Sequence, residues 1–122
     1  MFSVSVEEKG EMKFYATTRD HAFVMGIGNG GPNPVETMLA GLCGCVCHYV
    51  RDFLADSRIE CESFMVRGDA RQTEDRSRLS SIDLFIDLGG VRAEMTTLRS
   101  YIEKCKVYNT LKAGCDIRLV LV

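Results

Sequence analysis

The segment Asn33-Pro34-Val35-Glu36 restricts the fold more than any other. Asparagine accepts a hydrogen bond from a free amide of a first helical turn, proline suits the first helical position, and a glutamate three residues after the asparagine completes a capping box. A helix therefore begins at Pro34. Val35, Met38, Leu39, Leu42, Val46, Tyr49, Val50 and Phe53 follow at helical spacing. Ala40, Gly41, Cys43, Gly44 and Cys47 make much of the remaining surface small or apolar. A helix over 34–55 is about 30 Å long, about the width of a domain this size. Apolar on nearly every side, it calls for burial all round. One small sheet does not supply that much cover, so a homodimer is expected.

The elements around this helix follow from alternation and from turn residues. Phe2, Val4 and Val6 alternate with polar residues, as do Met12, Phe14 and Ala16, and Glu8-Lys9-Gly10-Glu11 separates the two runs. This predicts an antiparallel hairpin. A third strand is expected over His21 to Ile27, before the loop Gly28-Asn29-Gly30-Gly31-Pro32-Asn33-Pro34, which holds both prolines. Beyond the helix, strands are expected over about 59–71 and 79–88, joined by the solvated, mixed-charge end Gly68 to Arg78. Ile82, Leu84, Ile86 and Leu88 alternate with Asp83, Phe85 and Asp87 in the second of them. Val91, Met95, Leu98, Ile102 and Cys105 recur at 4-3-4-3 spacing, which predicts a second helix with Cys105 on its buried stripe and at its C-terminal end. A short turn over 107–113, stopped by Gly114, leads to a final strand with Ile117, Leu119 and Leu121 on one face. No repeat or linker divides the chain, so one α+β domain over 1–122 is expected, with antiparallel strands covering the helices.

Composition narrows the function. A formal charge of -2 and a pI near 5.7 leave no basic footprint for nucleic acid or for an anionic membrane. Met1-Phe2-Ser3-Val4-Ser5-Val6 lacks the basic start and apolar run of a signal peptide, and no uninterrupted apolar stretch approaches the roughly 18 residues that span a bilayer. A soluble, cytoplasmic protein is expected, with no nucleic-acid or membrane partner. In a reducing compartment six cysteines point to packing, metal or redox roles rather than to a disulfide framework.

Cys43-Gly44-Cys45-Val46-Cys47 invites a metal reading if it is taken as a strand. On a helix, at about 100° per residue, Cys43 and Cys47 lie close together while Cys45 points roughly 160–200° away. Zinc held by Cys43 and Cys47 with His48, Cys61, Cys105 or Cys115 lacks a tight paired-cysteine spacing. Cys43, Cys47, Cys61 and Cys115 fit better as small buried hydrophobes. Cys45 and Cys105 stand apart, because both fall on buried helical stripes and can meet in a core. That placement suggests thiol chemistry. Cys45 lies two turns inside its helix and gains little from the helix dipole, so a cation or hydrogen-bond donor would have to favour its thiolate. Lys104 and Lys106 favour a thiolate at Cys105, and the expected helix C-terminus opposes it. Which thiol reacts first stays open on these grounds. No Ser/His/Asp arrangement, phosphate-binding loop or dinucleotide pattern is present in the sequence.

Three segments together resemble the OsmC/Ohr-like proteins. They are Gly31-Pro32-Asn33-Pro34-Val35-Glu36, Met38-Leu39-Ala40-Gly41-Leu42-Cys43-Gly44-Cys45, and Glu103-Lys104-Cys105-Lys106-Val107. The resemblance implies two long central helices wrapped by antiparallel β-sheets in an intertwined homodimer, with paired active sites at the subunit interface. It also implies a peroxidatic cysteine at Cys45 and a resolving cysteine at Cys105. Such enzymes need no cofactor: the thiolate attacks an organic hydroperoxide, becomes a sulfenic acid, and condenses with the second thiol to a disulfide. A dithiol or lipoyl-type reductant then restores the thiols. The peroxidase branches carry glutamate directly after the motif proline, where this chain has Val35. Glu36 comes one residue later, a 100° turn away, and is a candidate either for serving the thiol or for capping the helix. The activating arginine of those branches comes from the N-terminal strands, where Arg19 is available but sits in no matching motif. These departures resemble the less characterised OsmC-like branch. The expected function is a thiol-dependent peroxidase acting on organic hydroperoxides or hydrogen peroxide in oxidative stress defence. The alternative is a non-enzymatic member that binds a small apolar ligand or senses oxidants at the dimer interface.

Overall fold

Alternating residues pair into two antiparallel sheets, and the capped apolar segment forms one long helix between them in the chain. In this computed structural model every residue but Asn29 is described; Asn29, part of the predicted glycine-rich loop, lies outside the described residues. The elements are β1 (Ser5–Glu8), β2 (Lys13–Thr17), β3 (Ala22–Gly26), α1 (Pro34–Asp56), β4 (Met65–Gln72), β5 (Leu79–Asp87), α2 (Met95–Ile102) and α3 (Lys106–Ala113). The class is α+β, as expected. The chain forms two compact units, Met1–Ala40 and Gly41–Val122.

In the first unit the strands pair in the order β1-β2-β3, all antiparallel, with Val6 opposite Ala16 and Phe14 opposite Met25. The hairpin begins later than the alternation predicts. Ser5 pairs with Thr17, the last residue of β2, so Phe2 and Val4 have no strand residue opposite them and stay exposed. Met12 belongs to the turn, where it and Glu11 take left-handed φ values of 56° and 59°. His21 is likewise drawn into a turn, its amide donating to Thr18 Oγ1 at 3.1 Å. The loop after β3 folds back on the strand, with the Gly26 amide donating to the Pro32 carbonyl at 3.0 Å. A Cβ on Gly26 would meet the Gly30 backbone at 2.9 Å, so the close approach requires glycine there.

The capping box at the head of α1 forms as predicted. Glu36 N donates to Asn33 Oδ1 at 2.7 Å, and Asn33 N donates to Glu36 Oε1 at 2.9 Å. The helix runs one residue past its predicted end. Within a single chain, however, it is not buried all round. Leu42, Val46, Val50, Phe53 and Leu54 form one buried stripe, while Val35, Met38, Ala40, Gly41 and Gly44 are exposed. Although no uninterrupted apolar run reaches membrane-spanning length, α1 as a whole is long and apolar enough to cross a bilayer. Its apolar stripe is used for the core of the second unit instead.

That core gathers the α1 stripe with Leu88, Leu98 and Ile102. β4 and β5 add one face, on which Val66, Gly68 and Ala70 pair with Ile86, Leu84 and Ile82. The other face is polar, with the Arg67 guanidinium 4.6 Å from the Phe85 ring centre and Arg71 3.5 Å from Asp83. β4 starts at Met65 rather than near 59, because Ile59 and Phe64 pack against the core instead of joining the ladder. The solvated hairpin end closes on Asp75, whose carboxylate accepts from the Thr73 hydroxyl and from the Ser77 amide and hydroxyl.

Three expectations downstream are corrected. The second helix stops at Ile102, and the amides of Glu103, Lys104 and Cys105 bond to Arg99, Tyr101 and Ile102, a tightening turn that ends it. Val91 lies before α2 in irregular chain. Cys105, with extended backbone, becomes the N-cap of α3, and the predicted short turn is this eight-residue helix, ended by Gly114 at φ 80°. The predicted last strand is not formed within the chain: residues 114–122 are irregular, and Ile117, Leu119 and Leu121 stand exposed. A strand exists only when its backbone groups find a ladder partner, and among the described residues none is supplied here.

Candidate functional site

Packing in the second unit decides where the two singled-out thiols lie. Cys45 projects from the shoulder of α1, between the buried residues Leu42 and Val46, and is half-buried. Leu98 and Ile102 seat α2 in the core, and the turn after Ile102 reverses the chain so that Cys105 points back toward α1. The two sulfurs stand 2.6 Å apart, with the Cys105 S–H donating to Cys45 Sγ. This is closer than an ordinary non-bonded contact and longer than the ~2.05 Å of a disulfide bond. Both are free thiols. Cys105 has no solvent exposure at all.

The electrical setting of Cys105 is the reverse of the one expected. As N-cap of α3 it occupies the positive end of a helix, and Tyr108 N–H donates to its Sγ at 3.4 Å. Burial nevertheless pushes its thiol up, and the hydrogen bond and charge of Cys45 add to this, while the amides of Tyr108 and Val107 pull the other way. Cys105 is thus held as a thiol that donates to its neighbour. Lys104, expected to assist a thiolate, lies 4.8 Å over the ring of Tyr101. The Tyr101 hydroxyl in turn donates to Asp56 at 2.7 Å, and that bond pushes the phenol up.

The remaining candidates disperse. Cys43 and Cys47 are neighbours, as the helical angle predicts; burial and then the charge of Cys47 push the Cys43 thiol up. His48 is exposed and pairs with Asp52 at 3.6 Å. Among the described residues no three His, Cys, Asp or Glu side chains gather closely enough to hold a metal ion. Cys61 donates to the carbonyls of Ser63 and Leu88, and Cys115 is exposed rather than buried. The Glu36 carboxylate serves the capping box of α1. Arg19 pairs with the adjacent Asp20 on the surface. Sequence reasoning missed the main-chain amide of Tyr108. Its signal was the apolar spacing Val107, Tyr108, Leu111, which marks a helix whose cap falls on Cys105.

The sequence matches the family described as OsmC-like protein over residues 27–120, a span that holds α1 and both thiols of the pair. The chain belongs to this family. The OsmC-like assignment is accompanied by a shared fold in solved structures. The OsmC-like protein from Mycoplasma pneumoniae superposes with a TM-score of 0.77 at 13% identity, over 93% of this chain and 89% of that one. The organic hydroperoxide resistance protein OhrB of Bacillus subtilis gives 0.63 at 17% identity, over 93% and 91%. An OsmC-like hydroperoxide resistance protein from Jannaschia gives 0.57 at 20%, over 99% and 91%. At such identities the likeness is one of fold. No curated protein sequence matches the chain.

Proposed function

We propose that this OsmC-like protein is a thiol-dependent peroxidase that reduces organic hydroperoxides or hydrogen peroxide through Cys45 and Cys105. The observation that carries the reading is the pair of sulfurs at 2.6 Å, one half-buried and one sealed from solvent. Access makes Cys45 the attacking group. The Cys45 thiolate displaces on the terminal peroxide oxygen, the O–O bond breaks, and the alcohol leaves with a proton, while Cys45 becomes a sulfenic acid. The Cys105 sulfur then attacks the Cys45 sulfur, water departs, and the disulfide forms. Their closeness makes this second step effectively unimolecular and fast against loss to further oxidation. The Cys105 thiol lies against the Cys45 sulfur, in the place where a cation or hydrogen-bond donor was expected. Glu36 is assigned the helix cap, not proton transfer.

The names of the Bacillus and Jannaschia proteins support peroxide defence as the setting. The reading includes a dithiol or lipoyl-type reductant, a cytoplasmic location and a homodimer. Support for the dimer comes from the exposed small face of α1 at Ala40, Gly41 and Gly44 and from the unpaired alternating segment at 117–121. Stopped-flow mixing of the reduced protein with cumene hydroperoxide, followed by mass spectrometry, tests the proposal. Rapid loss of two thiols per chain with a Cys45–Cys105 disulfide is expected. Reaction no faster than that of free cysteine would overturn it in favour of a binding or sensing protein.

A further inference from the structure

The environments of the two sulfurs differ in a way that bears on how their disulfide reopens. Thiol–disulfide exchange proceeds by attack of a thiolate on one sulfur in line with the bond, and is faster when the departing sulfur is the better anion. Either sulfur of a disulfide can be attacked in principle. Here Cys105 is fully enclosed, so a thiolate arriving from solvent meets Cys45 first. The place prepared for negative charge lies on the other side of the bond. Cys105 caps an eight-residue helix, and the Tyr108 amide already donates to its sulfur. Cys45 has no such cradle, because it sits in mid-helix where main-chain amides are committed to the ladder.

We infer that reduction is directional: an incoming thiolate attacks the Cys45 sulfur, and Cys105 departs as a thiolate received by the amide of Tyr108 at the head of α3. The inference rests on the Cys45–Cys105 disulfide of the proposed cycle. In the first exchange the S–S bond breaks, a new bond joins the reductant's sulfur to Cys45, and the electron pair leaves with Cys105, which then takes a proton. In the second, the other thiol of the same dithiol attacks its own bonded sulfur and releases the Cys45 thiolate. The dithiol is oxidised by two electrons to a disulfide, and both cysteines are recovered. Burial and the neighbouring Cys45 push the Cys105 thiol up in the reduced protein. In the mixed disulfide the Cys45 sulfur carries no charge, so the amides oppose burial alone. Tyr108 is therefore a positioning residue that acts through Cys105, by its backbone rather than by its ring.

The full chain, oxidised with diamide so that the result does not depend on peroxide turnover, is mixed with a small monothiol such as 2-mercaptoethanol, quenched in acid and mapped by mass spectrometry. If no Cys45–Cys105 disulfide forms with diamide, the pair itself fails and the proposed cycle fails with it. Given the disulfide, the mercaptoethanol adduct is expected on Cys45 with Cys105 free, and an adduct chiefly on Cys105 overturns the inference. Tyr108→Pro removes the donating amide within a first helical turn, where proline is tolerated. It should slow the opening step several-fold while leaving the adduct on Cys45. An unchanged opening rate in a folded Tyr108→Pro protein would remove the amide from the mechanism. The wild-type adduct map decides the direction of attack even if that variant does not fold.

Discussion

The heads of α1 and α3 solve one problem with different atoms. At α1, Asn33 and Glu36 satisfy each other's amides through oxygen, and the arrangement ends there. At α3 the cap is the sulfur of Cys105, which accepts from Tyr108 N–H and donates to Cys45. A cap made of oxygen stabilises a helix. In the proposed cycle a cap made of sulfur also places a reacting atom at the positive end of that helix, so that folding and the proposed chemistry share a single side chain. Substitutions that keep the cap and remove the chemistry, or the reverse, separate the two roles.

The largest effect is expected where only chemistry is removed. Cys45→Ser should abolish peroxide turnover with little change in melting temperature. Cys105→Ser keeps a good N-cap, because serine accepts a hydrogen bond as well as any residue at that position. It should leave the fold near wild-type stability, block the disulfide, and trap a sulfenic acid on Cys45 that dimedone labels. Loss of folding in Cys105→Ser, or sustained turnover by it, would break the comparison between the two caps.

At the other head the expected effect is on stability alone. Asn33→Ala removes the oxygen cap of α1 and should cost about 1 kcal/mol in urea unfolding. Its initial rate of thiol loss with hydroperoxide should match wild type. Smaller still is the effect of Glu36→Gln, since glutamine also completes a capping box. Stability should shift by no more than a few tenths of a kcal/mol, with the first N-terminal carboxylate lost from the helix dipole. A large fall in peroxide reactivity without a change in stability would return Glu36 to the catalytic group.

The contrast also explains what could be read from the residues beforehand. The α1 cap is local: four consecutive residues contain every donor and acceptor involved, so sequence alone suffices. The approach of a half-buried Cys45 to a buried Cys105 was legible because Leu42, Val46, Leu98 and Ile102 mark the stripes on either side. The cap at Cys105 was hidden by those same stripes, since Val91, Met95, Leu98, Ile102 and Cys105 keep helical spacing straight through the turn at Glu103-Lys104. No glycine or proline marks that break, and it is made by backbone bonds that no side-chain pattern announces. The strand at Ile117, Leu119 and Leu121 failed for another reason. Alternation describes which faces a segment would present, not whether a neighbour exists to pair with it. Within one chain α1 is covered only along the Leu42 to Leu54 stripe, since one chain supplies one apolar layer against it, and the rest of the cover was expected from a second copy.

The smallest expected effect concerns alkaline pH, and its sign distinguishes the two influences on Cys105. If the α3 amides dominated, the thiolate would be favoured in the folded protein and stability would rise with pH. Burial and Cys45 dominate instead, so the folded chain holds the Cys105 proton more tightly than the unfolded chain does. Above the unfolded thiol value, about 8.5, the native state then binds more protons than the unfolded state, and unfolding becomes easier as pH rises. Below that value both states are protonated and the contribution is fully present. Tyr101 and Cys43 are pushed up too and act in the same direction, so wild type must be compared with Cys105→Ser at each pH. The difference between their urea midpoints should be flat near neutrality and turn against wild type above about pH 8.5. A difference that turned in favour of wild type there would mean that the helix end outweighs burial at Cys105.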